Sequence, residues 1–98
     1  MNNIRRQELK TIIRELRSIK DKDSLDTCIT SLETLKDEEQ DYFDNIPENL
    51  QYSQRSEAAE EAIERLEEAL DVLNEIYYNA DSSLEDIEDA INLIEEVI

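Results

Sequence analysis

From Ser56 to Ile98 the chain reads SEAAEEAIERLEEALDVLNEIYYNADSSLEDIEDAINLIEEVI. Taken in sevens, Ala59, Leu66, Leu73, Ala80, Ile87 and Ile94 share one heptad position. Ala62, Ala69, Ile76, Ser83, Ala90 and Val97 fall three residues further on, and Ile63, Leu70, Tyr77, Leu84, Ile91 and Ile98 one beyond that. Ser83 is the only non-apolar member of this a/d/e stripe, and no Gly or Pro interrupts it. A sustained 3.5-residue period predicts a helix that turns one side to its partners along its whole length. At 1.5 Å per residue such a helix is roughly 60 Å long and needs something equally long to lie against.

Composition agrees with a helical reading. In 98 residues Gly is absent and Pro occurs once, while charged residues make up 38% of the chain. This is the composition of long helices or coiled coil, in a chain short enough to be one domain. So small a core makes oligomerisation a natural supplement, and a homodimer is expected.

Working outward, Asn2 or Asn3 can cap a first amphipathic helix, over about 3–20, whose apolar face is Ile4, Leu9, Ile12, Ile13, Leu16 and Ile19. The apolar positions restart out of phase at Leu25, Cys28, Ile29, Leu32, Leu35, Tyr42, Phe43 and Ile46. One straight helix cannot bury both stripes on one partner. A turn or kink is therefore placed at 21–24, with Asp23 or Ser24 capping a second helix over about 24–45. Asn45-Ile-Pro47 ends that helix, because the residue before Pro is disfavoured in the helical region. A turn over 45–52 leads to the long helix, over about 54–98, with Ser53 or Ser56 as its cap.

Ser82 with Glu85, and Ser83 with Asp86, resemble capping boxes and would break the long helix near Ala80. The unshifted heptad argues the other way, and continuity is the expectation taken. The fold expected is all-α: an antiparallel helical hairpin or three-helix coiled-coil bundle on one long C-terminal helix. The second helix would run back along 58–76, and the first would cover 84–98. A compact three-helix bundle whose 80–98 tail enters a dimer partner is the competing arrangement.

Charge is unevenly spread within a formal net of −17. Residues 1–22 hold seven bases against three acids, a net +4; residues 23–98 hold three bases against 24 acids, a net −21. A body so acidic disfavours direct binding of nucleic acid or an anionic membrane and favours basic protein partners. The opening residues carry no hydrophobic core region and no apolar run reaches membrane-spanning length, so a cytoplasmic protein is expected. The single Cys28 excludes an intrachain disulfide, fits a reducing compartment, and packs as a small hydrophobe on an apolar face.

The segments Tyr42-Phe-Asp-Asn-Ile-Pro-Glu-Asn-Leu50, Ala58-Ala-Glu-Glu-Ala-Ile63 and Leu66-Glu-Glu-Ala-Leu70, with Ser53 and Arg55 between, carry a resemblance. Over roughly residues 4–75 the chain resembles short acidic helical proteins of unassigned function encoded by phages and prophages of Gram-positive bacteria. The resemblance implies a mobile-element accessory protein acting inside a bacterial cell. Small acidic phage proteins include inhibitors of host defence nucleases, anti-CRISPR proteins among them.

No catalytic, cofactor or metal site is expected. The sequence has no His for a general base or zinc ligand, and no Gly for a phosphate-cradling loop. Asp21-x-Asp23 begins like a calcium loop, but Leu25, Asp26 and Leu32 stand where a ligand, Gly and Glu are required. What remains is surface. Glu57, Glu60, Glu61, Glu64, Glu67, Glu68, Asp71 and Glu75 form an acidic face on the long helix. Carboxylates three or four residues apart stand about 5–6 Å apart, near the spacing of phosphates along a strand. The first reading of function is therefore a non-enzymatic module that mimics nucleic acid and occupies the groove of a nucleic-acid-binding protein. The alternative is a structural coiled coil acting through homo-oligomerisation, with Leu84, Ile87, Ile91 and Ile94 as its interface. Tyr77 is expected in the core, and Tyr52 and Tyr78 exposed.

Overall fold

The computed structural model describes residues 2–47, 49, 54–79 and 86–98. Among them are four helices and no strand: α1 (Asn3–Arg17), α2 (Lys22–Asp44), α3 (Gln54–Tyr78) and α4 (Ile87–Glu95).

Local chemistry sets the ends. Asn2 caps α1, its side-chain oxygen accepting from the Arg5 N–H at 2.8 Å. Asp21, not Asp23 or Ser24, caps α2 by accepting from the Ser24 N–H at 2.8 Å. The backbone hydrogen bond from Ser24, with its side chain adding to it, holds the Asp21 carboxyl below its ordinary range. At the far end of α2, the Asn45 side-chain amide donates to the Asp41 carbonyl at 2.7 Å before Pro47. With no Gly available, no described residue has a positive φ. The Ser18 N–H instead closes α1 by donating back to the Glu15 carbonyl at 3.2 Å, and the Ile19 N–H donates to the Leu16 carbonyl at 3.3 Å. Ser56 is buried in the first turn of α3 rather than capping it, while Ser53 lies outside the described residues.

The helices run up and down in chain order. Arg5, near the start of α1, meets Glu39, near the end of α2, at 2.9 Å. Lys22, at the start of α2, donates to the Asn79 carbonyl just past α3 at 3.1 Å. Arg65 of α3 meets Glu96 at the end of α4 at 2.8 Å. The first helix packs on the last as well as on the second, and α3 packs between α2 and α4. Leu9, Leu16, Leu25, Leu32, Leu66, Leu73, Ile91 and Ile94, all fully buried, draw one core from all four helices. Burying each such side chain stabilises by roughly 1.5–3 kcal/mol.

The long C-terminal helix is corrected. A continuous helix over 54–98 would measure roughly 67 Å and would hold Arg65 and Glu96 about 46 Å apart. The molecule's longest extent is 47 Å, and those two side chains touch. The longest helix is α3, in the middle of the chain, and α4 folds back against it. The physical reason is burial. Folding back encloses Ile87, Ala90, Ile91 and Ile94 within the chain, where an extended helix would leave them in need of a second molecule. The capping signals at Ser82 and Ser83 lie outside the described residues. The expected segment pairings survive this change: α2 lies beside α3, and α1 beside α4.

Candidate functional site

All eight acids of the expected face belong to α3, and every one is exposed. At 100° per residue they fall within an arc of about 120°, opposite the buried Ala59, Ala62, Ile63, Leu66, Ala69, Leu70, Leu73 and Ile76. From Glu57 to Glu75 the helix rises about 27 Å. Glu68 pairs with Arg65 at 3.5 Å, and the other seven meet no cation among the described residues. Lys36, Arg6 and Arg65 border the row without pairing with those seven.

The sequence reading missed a second row. A shallow cleft of about 420 Å³ between α2 and α3 is lined by Glu33 and Asp37 on one wall and Glu67 and Asp71 on the other, over Leu70. Lys36 stands between the walls, paired with Asp37 at 3.1 Å. The acidic face is thus a two-helix surface. Its signal was present in α2, where the exposed acids Asp26, Glu33, Asp37 and Asp41 recur at helical spacings opposite Leu25, Leu32 and Leu35.

The basic residues of α1 sit elsewhere. Arg6, Lys10, Arg14 and Arg17 follow one another at spacings of four, four and three residues along one edge of the helix. Arg17 reaches α4, meeting Glu95 at 2.9 Å and Glu88 at 4.0 Å. These exposed pairs contribute little individually, about 0.2–1 kcal/mol each. At the other end of this edge, Arg6 shares a cleft with Glu61 and Arg65 of α3 and with Glu96.

The expected oligomer interface changes status. Ile87, Ile91 and Ile94 are 3%, 1% and 0% exposed in the single chain, so they are its own core and have no surface to offer a second copy. Leu84 lies outside the described residues. Cys28 is buried and donates to the Glu15 carboxylate at 3.8 Å. Burial, then the adjacent Glu15 charge, pushes its thiol up to about 11, which makes it a poor nucleophile. Tyr77 packs half-buried against the core and Tyr78 is exposed, as expected; Tyr52 lies outside the described residues.

Among the described residues, no three His, Cys, Asp or Glu side chains are grouped so as to hold a metal ion, and no helix is long and apolar enough to cross a membrane. Compared with protein-family models, curated proteins and solved structures, the chain matches none. Fold and face together define a class: an antiparallel helical bundle with one strongly acidic two-helix side.

Proposed function

We propose that this protein is a non-enzymatic binding module. Its acidic side occupies the nucleic-acid groove of a basic protein inside a bacterial cell and blocks it. The target class is a defence nuclease of the host, in keeping with the resemblance to phage-encoded acidic proteins. The observation that carries the reading is the linear density of charge on α3. Eight exposed carboxylates over about 27 Å amount to one charge per 3–4 Å, against 3.4 Å per phosphate along one strand of duplex DNA. The row is on one continuous 25-residue helix, so its backbone is ordered before binding, which reduces the ordering cost of association. Glu33 and Asp37 of α2 thicken the row at the α2–α3 cleft.

The test is capture from a bacterial lysate on the immobilised protein, at low and moderate salt, with duplex DNA added to half the samples. The reading expects a nucleic-acid-binding protein that is released by salt and displaced by DNA. Glu60, Glu64, Glu67 and Glu68, changed together to Lys, should abolish capture while the helical circular dichroism stays unchanged. Capture that survives this reversal, or that ignores DNA, overturns the proposal.

A further inference from the structure

The start of α1, the last turns of α2 and the first turn of α3 meet around another cleft, of about 450 Å³. Arg5, Arg6 and Arg55 line it, with Tyr42 and Gln54. Three of the chain's ten basic residues thus share one opening, and among the described residues no Asp or Glu lines it. The four other clefts described each have at least one carboxylate in their walls. In a chain with 27 acids, a cleft whose described lining holds three arginines and no acid stands apart from those four.

Each arginine is placed for a ligand. Arg5 is anchored from behind: its Nε donates to the buried Glu39 at 2.9 Å, and its guanidinium carbon lies 5.9 Å from the centre of the Tyr42 ring. Arg6 gives its Nη1 to Asn3 at 3.2 Å, but its Nε–H is buried and finds no acceptor among the described residues. A buried donor left unmet carries a desolvation cost that an acceptor supplied from outside would recover. Arg55 is exposed and pairs with no carboxylate among the described residues. It sits in the first turn of the 25-residue α3, whose aligned peptide dipoles add positive potential at that end. Tyr42 is 38% exposed and forms an aromatic wall.

We propose that this cleft binds a phosphate monoester. The guanidinium groups would take its oxygens through paired, charge-assisted hydrogen bonds, and Tyr42 would pack against its organic part. Glu39 answers only one of the three guanidiniums, and a dianion between Arg6 and Arg55 would offset the positive charge that is left. The site lies at the end of the bundle, is separate from the α2–α3 face, and does not depend on the function proposed for it.

The experiment is an amide-resolved NMR titration of the full chain with inorganic phosphate and with phenyl phosphate, ionic strength being held constant with sodium chloride. Saturable shifts are expected at Arg5, Arg6, Tyr42, Gln54 and Arg55, with phenyl phosphate binding the tighter. Arg6→Gln with Arg55→Gln should weaken both probes by about tenfold or more. Arg55→Gln alone, at an exposed position with no ion pair to lose, should weaken them with the fold intact. Lys10→Gln with Arg14→Gln should leave binding unchanged, and Tyr42→Ala should remove only the preference for phenyl phosphate. Shifts that stay linear in probe, that chloride reproduces, or that persist in the Arg6/Arg55 variant overturn the proposal.

Discussion

Glu39 is 0% exposed on the core side of α2, four residues beyond Leu35, where an apolar residue would continue the stripe. Arg5 meets it at 2.9 Å from across the bundle. Removing Arg5 takes a charge-assisted hydrogen bond away from a buried carboxylate, whereas replacing both with apolar groups removes the desolvation cost too. Arg5→Ala should therefore cost about 3 kcal/mol in urea unfolding, and Arg5→Met with Glu39→Leu should return to within about 1 kcal/mol of the parent. A double variant no more stable than Arg5→Ala would refute this account. Cys28 supplies a pH dependence. Its thiol pKa is raised from 9.0 to about 11 by burial and by Glu15, so the folded state holds its proton more tightly than the unfolded chain. That stabilisation is intact below pH 9.0 and is lost as pH rises through about 11. Two units correspond to no more than about 3 kcal/mol. Cys28→Ala should flatten the fall of stability above pH 9, and iodoacetamide should label the parent at neutral pH only at the rate of unfolding.

The decisive element is the return of α4 onto α3. Spin labels at Glu64 and Glu95, both exposed, should read about 20 Å or less by dipolar spectroscopy, where one continuous helix would hold them roughly 46 Å apart. Ile94, fully buried, gives the energetic counterpart. Ile94→Ala should cost about 2–5 kcal/mol with the protein a monomer before and after, checked by sedimentation. A loss of mass without a loss of stability would instead restore the interface role. The sequence made α1, α2, the turn at Pro47 and the core side of α3 legible, because period and punctuation agreed there. It misled at 79–86 for a definable reason. Leu73 and Ile87 are two whole heptads apart, so the stripe on α4 continues that on α3 in number. Heptad phase reports which side of each helix faces the core, and a connection of the right length preserves it while the chain reverses. Glu39 and Arg5 were illegible for a different reason: scanning for apolar residues steps over a charge on a seam position. The acid row on α3 was fully legible from spacing, whereas its junction with Glu33 and Asp37 required knowing that α2 lies alongside.

At the scale of the molecule, charge acts on folding and on binding in opposite senses. Twenty-seven acids against ten bases on a body 47 Å long repel one another across distances comparable with the Debye length, about 10 Å at 0.1 M salt. Added salt screens that repulsion. It also weakens the Arg17 and Arg65 pairs, but those are exposed and contribute only about 0.2–1 kcal/mol each, so screening of the like charges wins. Thermal unfolding should therefore shift upward by several degrees between about 0.05 and 0.5 M sodium chloride. Over the same range a partner held by the α2–α3 side should be released, because its attraction is screened by the same ions. The two changes separate specific dissociation from denaturation: a captured protein lost while the module becomes more stable has been lost from an intact surface. If stability and capture instead fall together, the acidic side is not what holds the partner. If neither responds, the surplus charge is governing neither property, and the density of carboxylates along α3 loses its role in recognition.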